Sequence, residues 1–127
     1  MNKERILALA DLIEAQPHVS SASLIREGFN MNLLTHGCGT PSCIAGWAAW
    51  EAQDRPAGVK VRGLKKDARE YLDLPYDQAE SLFYPRVQDP YMSYDSINPA
   101  QAAKVLRHLA ETETVDWSIA DVVTPLS

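Results

Sequence analysis

Apolar positions recur with helical spacing at both ends of the chain and along much of its middle. Near the start, Ile6, Leu9, Ala10 and Ile13 fall at i, i+3, i+4 and i+7, and Leu7 and Leu12 widen the stripe. Asn2 stands where an N-cap belongs and Pro17 where a helix must stop, so the pattern predicts a helix over about residues 3–16. From Cys43 to Trp50 the chain is apolar all the way round, which predicts a helix in the middle of a core. Thr40 as N-cap and Pro41 as first helical residue would open it, placing Cys43 in its first turn.

Two shorter helices are expected next. Ala68, Tyr71 and Leu72 form the inner side of one. Ala79, Leu82 and Phe83 form that of the other, which begins near Pro75 and ends before Pro85. A last helix starts at Asn98 with Pro99 in first position and Gln101 completing a capping box, and runs to about Glu111 on Ala102, Val105, Leu106 and Leu109. Val115 to Trp117 then return to the core, with a short turn after Asp116. Val19 to Arg26 has the composition of a short helix. Phe29, Met31 and Leu33 alternate with polar or outward positions, as Val59 and Val61 do with Lys60 and Arg62, so these two pieces are candidates for a small two-stranded ribbon. The expected architecture is mainly α: a compact single-domain bundle of about five helices around a buried central helix, with the ribbon as an optional addition.

A chain of 127 residues is long enough to bury one such core. No apolar run approaches the roughly twenty residues of a membrane span, and the charged amphipathic start does not resemble a secretory signal. The expected location is the cytoplasm of whatever cell contains the chain, where two cysteines are expected as thiols. Charge changes the picture more. The net charge of −5 argues against general nucleic-acid binding, yet Arg55, Lys60, Arg62, Lys65, Lys66 and Arg69 lie close together, opposed only by Asp67. The segment from Glu70 onward is strongly acidic. The basic segment could hold an acidic protein, or be a solvated face that balances the acidic tail. Residues 67–83 have a helix-turn-helix outline, but the second helix would offer Asp77 and Glu80 to a DNA groove, which disfavours DNA reading. The stretch 84–97 adds Tyr84, Arg86, Tyr91, Met92 and Tyr94, residue types enriched at protein interfaces.

The remaining chemistry centres on Cys38 and Cys43. A first-turn Cys43 would have its thiol acidified by the helix dipole, with Cys38 as a resolving thiol and His108 as a base. A comparison with papain-like enzymes fails: Ile44 rather than Trp follows Cys43, and His36 and Gly37 occupy the upstream positions. His36, Cys38 and Cys43 also form a ligand-like cluster, although a closed zinc site wants four ligands and only His18 or His108 could add a nitrogen. The competing reading is two cysteines packed as small hydrophobes around a tight turn.

The run Cys38-Gly-Thr-Pro-Ser-Cys-Ile-Ala-Gly-Trp-Ala48 resembles the signature of a group of small proteins of bacteria and their phages, Cys-Gly-Thr-x-x-Cys-x-x-Gly-(Trp/His)-Ala. Ala68, Leu72, Leu74, Ala79, Leu82-Phe83, Gln101-Ala102, Leu106 and Trp117 match its later parts, so the likeness spans about Phe29 to Trp117. Pro75 departs from it where a capping residue is usual. The resemblance implies a shared fold and a microbial or phage origin, and no particular activity. The functional expectation is a non-enzymatic module without cofactor that binds a protein partner through Lys60, Arg62, Lys65, Lys66, Arg69, Tyr84, Arg86, Tyr91 and Tyr94. It is expected neither on a membrane nor on nucleic acid. A thiol-dependent enzyme or redox protein using Cys43, or a small metal-bound module, is the alternative.

Overall fold

The computed structural model describes residues 1–19, 28–31, 41–84 and 97–120. They form five helices, α1 (Lys3–Glu14), α2 (Ile44–Ala52), α3 (Leu64–Leu72), α4 (Tyr76–Phe83) and α5 (Pro99–Thr112), then a single 3₁₀ turn at Trp117–Ala120. The mainly helical expectation is met. The expected short helix over 19–26 lies largely outside the described residues, as does most of the loop 84–97.

The helix ends follow from local chemistry. The Arg5 N–H donates to Asn2 Oδ1 at 3.1 Å and opens α1. At α5 the capping box is complete: the Gln101 N–H donates to Asn98 Oδ1 at 2.8 Å, and the Asn98 N–H to Gln101 Oε1 at 2.9 Å. Ile97 before the cap is fully buried. α4 starts from Pro75 with no side-chain cap.

One hydrophobic cluster joins all five helices. α1 lies along α5, bringing Ile6, Leu9, Ala10 and Ile13 against Ala102, Val105, Leu106 and Leu109, all buried. Of the two residues expected to widen the α1 stripe, Leu12 packs on the core but Leu7 is exposed. Arg107 closes the polar side of this contact, its guanidinium 2.9 Å from both Asp11 Oδ1 and Glu14 Oε1. α2 packs mainly on α3 and also touches α1 and α4. Ala45, Ala48 and Ala49 expose no surface, which fits a helix that neighbours approach closely. Trp117 ties the last turn down, its indole N–H donating to the Ser81 carbonyl at 3.0 Å.

Two expectations need correction. The first concerns the ribbon. Phe29 does not pair with Val59–Arg62 among the described residues; it makes a parallel bridge to His18. The Phe29 N–H donates to Pro17 O (2.8 Å) and the Val19 N–H to Phe29 O (3.1 Å). At the other piece, the Gln53 side chain holds both backbone groups of Lys60: Gln53 Nε2 donates to the Lys60 carbonyl (3.1 Å), and the Lys60 N–H to Gln53 Oε1 (2.8 Å). The amide thus occupies the place a partner strand would take. Val59 is buried and Val61 is 55% exposed, so the two do not share a face.

The second correction moves the start of α2 from Pro41 to Ile44. Asn30 holds the chain just before it. The Asn30 N–H donates to Ser42 O at 3.1 Å, and Ser42 Oγ donates to Asn30 O at 2.9 Å. Asn30 itself is fully buried, its Nδ2 donating to Val19 O at 2.7 Å. Cys43, with φ −87° and ψ 179°, is still extended and is the N-cap.

Candidate functional site

The turn after α2 removes one cation from the basic segment. Arg55 is held in a left-handed conformation (φ 53°), its Nη2 lies 2.9 Å from Glu51 Oε1, and its guanidinium stacks on Trp50 at 5.2 Å. Arg55 therefore serves α2. The other five cations remain with the segment that leads into α3. Gln53 Nε2 also reaches Asp67 Oδ2 at 3.2 Å, so Asp67 is turned toward the α2 end.

Along α3, Lys65, Lys66 and Arg69 border a groove of about 270 Å³ whose other side is α4, with Tyr76, Ala79, Glu80 and Phe83. The helices meet at a tight turn in which Asp73 adopts φ 54° and the Leu74 N–H donates to Arg69 O (3.1 Å). Ala79 and Phe83 are buried, while Tyr76 is 65% exposed. The Lys65 ammonium sits 4.9 Å from the centroid of the Tyr84 ring. Tyr84 is the main cause of a Lys65 pKa raised above the ordinary lysine value, and Glu80 adds a smaller Coulombic contribution.

Ion pairing separates these cations. Lys66 reaches Glu70 only at 4.0 Å, between two exposed side chains. The side chains of Lys60, Arg62 and Arg69 make no ion pair or hydrogen bond among the described residues. From the acidic segment, Glu70 reaches Lys66 and Glu80 lies near Lys65, while among the described residues no carboxylate pairs with Lys60, Arg62 or Arg69. Among the described residues, Val61, Tyr76 and Tyr84 are three of the four exposed large hydrophobic residues, and all three lie in or beside this segment.

Of the site residues expected from sequence, Lys65, Lys66 and Arg69 are brought together on the groove, and Tyr84 closes on Lys65. Lys60 and Arg62 are exposed on the approach to α3. Arg86, Tyr91 and Tyr94 lie outside the described residues. Tyr76 and Glu80 are additions. The signal for Tyr76 was available: an aromatic residue just inside the start of a helix whose buried stripe begins three residues later.

The thiol chemistry is reversed. Cys43 is a free, buried thiol whose Sγ accepts from the Gly46 N–H at 3.4 Å. Burial pushes its pKa up to about 11, and the helix N–H groups only partly offset this. Desolvation in the core outweighs the helix terminus that was expected to acidify it. No hydrogen bond joins His108 to Cys43 among the described residues; the His108 carbonyl accepts from Thr112 Oγ1 (2.8 Å). Cys38 and His36 lie outside the described residues, and no group of three His, Cys, Asp or Glu gathers among those described.

A second hollow, of about 370 Å³, is bordered by Trp47, Trp50, Pro41, Pro56 and Leu12. The rings of Trp47 and Trp50 meet edge-to-face at 5.4 Å. Trp50 Nε1 donates to Pro56 O at 3.1 Å, whereas Trp47 Nε1 is buried with no hydrogen-bond partner among the described residues. No helix among the described residues is long and apolar enough to cross a membrane. Comparison with known proteins gives no match to a family model, to a curated protein or to a solved structure.

Proposed function

We propose that this chain is a non-enzymatic interaction module that binds a protein partner through the basic surface of α3 and the groove it shares with α4. One observation carries the reading: Lys60, Arg62 and Arg69 are left without an anionic partner among the described residues, and Arg69 borders the groove that a 65% exposed Tyr76 also lines. A solvated face that merely balanced the acidic tail would be expected to pair these three cations with that tail's carboxylates, whereas among the described residues the tail's Glu70 reaches only Lys66, at 4.0 Å. An acidic protein surface supplies the missing charge, and tyrosine and arginine are the residue types from which such contacts are built. The resemblance around Cys38–Ala48 extends the proposal to an accessory protein of phage or prophage origin, or an inhibitor of a host factor, acting in the cytoplasm.

The test is partner capture from host lysate, with and without nuclease, using the wild type and a variant in which Lys60, Arg62, Lys65 and Lys66 are changed to Glu. All four side chains are exposed, so the variant is expected to fold. A partner that survives nuclease, is lost with the variant and dissociates as salt rises supports the reading. Equal capture by both proteins across a salt series refutes it.

A further inference from the structure

The geometry points to a definite occupant for the α3–α4 groove: an acidic partner segment that seats one aromatic or large aliphatic side chain against α4 and lays flanking carboxylates on Lys66 and Arg69. This rests on the interaction reading above and adds what the groove recognises. Tyr76, Ala79 and Phe83 stand at i, i+3 and i+7 of α4, so they share one face. Ala79 between two rings makes the hollow. Phe83 is 5% exposed and floors it, while Tyr76 is a free wall with apolar surface still in water. A volume of about 270 Å³ lies just below the ~300–1,000 Å³ of pockets that enclose whole small molecules, and suits a single anchoring side chain.

The charges divide the work. Lys65 is held against Tyr84 with Glu80 nearby, so it is the least available cation. Glu80 also repels an anion laid on that side of the groove. Lys66 and Arg69, at i and i+3 of α3, are neighbours on one face, with Glu70 only weakly engaging Lys66 at 4.0 Å. Arg69 adds the planar fork that takes a carboxylate bidentately. An acidic segment without an apolar residue would leave Tyr76 and the hollow uncovered. An apolar segment without acids would bury Arg69 unpaired.

The test uses four synthetic probes on the full chain, read by fluorescence anisotropy at low salt and by amide shift mapping. They are a twelve-residue Asp/Glu peptide with one central Phe, the same peptide with Ser for Phe, a Gln-flanked Phe peptide, and a twelve-nucleotide oligothymidylate. The Phe-bearing acidic peptide is expected to bind at least about tenfold tighter than either peptide control, with shifts centred on Lys66, Arg69, Ala79 and Phe83. Tyr76→Ala, at an exposed position, should erase the advantage of Phe over Ser. Lys66→Gln with Arg69→Gln should weaken both acidic peptides. Equal binding of the Phe and Ser peptides overturns the anchor while leaving the charged surface intact. Failure of every peptide to bind overturns the inference, and the interaction reading is then judged by partner capture alone. An oligonucleotide that binds more tightly than the peptides overturns both.

Discussion

Cys43 is a buried thiol at the head of a buried helix, and its position yields a pH dependence that can be measured in isolation. Burial raises its pKa from the ordinary 9.0 to about 11 in the folded chain. The unfolded chain loses this proton near pH 9, whereas the folded chain keeps it until near pH 11. Between those values the native state binds more protons, so stability falls as pH rises, by about 1.4 kcal/mol per unit. The contribution is fully present below pH 8 and is lost over roughly two units, a total of about 3 kcal/mol. That is a large part of the ~5–15 kcal/mol by which domains are stable. Lysines and tyrosines also titrate in this range, so the measurement is a difference. Urea unfolding of a Cys38→Ser protein is compared with that of the Cys38→Ser/Cys43→Ser protein at pH 8 and pH 10. Serine keeps an N-cap acceptor for the Gly46 N–H and does not titrate. The Cys43 protein should lose about 1.3 kcal/mol relative to its partner over those two units. For m-values of about 1–3 kcal/mol/M, the urea midpoints separate by about 0.4 M or more. In the folded Cys43 protein, iodoacetamide should modify the thiol at neutral pH only after urea unfolding. Parallel stability curves, or rapid alkylation of the native protein, would refute the argument and restore Cys43 as a candidate nucleophile.

Three further predictions test the scaffold. Gly28 has φ +113°, and a Cβ there would lie 2.6 Å from the Pro17 carbonyl oxygen. Gly28→Ala should therefore cost roughly 2–4 kcal/mol through strain and weakening of the His18–Phe29 bridge, read as a fall in Tm; an unchanged Tm would show that the bridge is not needed. Asn98→Ala removes one half of the α5 capping box and should cost about 1 kcal/mol, with Asn98→Ser recovering most of it in urea titrations. Hydrogen bonding to Arg107 is the first cause of a lowered Glu14 pKa, with attraction to its charge adding to it. The pair's stabilisation is thus present above the unfolded value of 4.5 and lost as pH falls through the depressed one. Arg107→Gln should flatten the acid limb of a stability–pH curve, and an unchanged limb would mean the pair contributes nothing.

The helices were readable because their signals are local and agree with one another. Asn98, Pro99 and Gln101 specify the start of α5 within four residues, and the i, i+3, i+4, i+7 stripe of α1 identifies the face that meets α5. The start of α2 was misread because Thr40-Pro41 is a good local opening but a distant residue decides. Asn30 pairs with Ser42, Cys43 stays extended, and the helix begins only at Ile44. The ribbon failed for a similar reason. Alternation at Val59–Arg62 is real in sequence, yet the Gln53 amide, seven residues upstream, saturates Lys60. The basic segment was legible as composition. Which cations were free was not, because the removal of Arg55 by Glu51 and Trp50, and the holding of Lys65 by Tyr84, are contacts no periodicity encodes.

The cysteine motif is the most distinctive run in the chain, and its described half points inward. Pro41, Ser42 and Cys43 are all buried, Ser42 and Asn30 exchange hydrogen bonds, and Cys43 caps the helix that fills the space beside α3. Residues so placed fix where α2 begins, and through its packing on α3 they set how α3 lies. The surface proposed to meet a partner is built from commoner residues with no motif of their own: cations on α3, and an alanine flanked by two rings on α4. A substitution in the motif should then impair binding only by destabilising the fold, whereas Tyr76→Ala or a charge change at Lys66 should impair binding at unchanged Tm. Affinity and melting temperature measured on both sets separate the roles. A motif variant that keeps its Tm and loses its partner would place recognition at the cysteine turn instead.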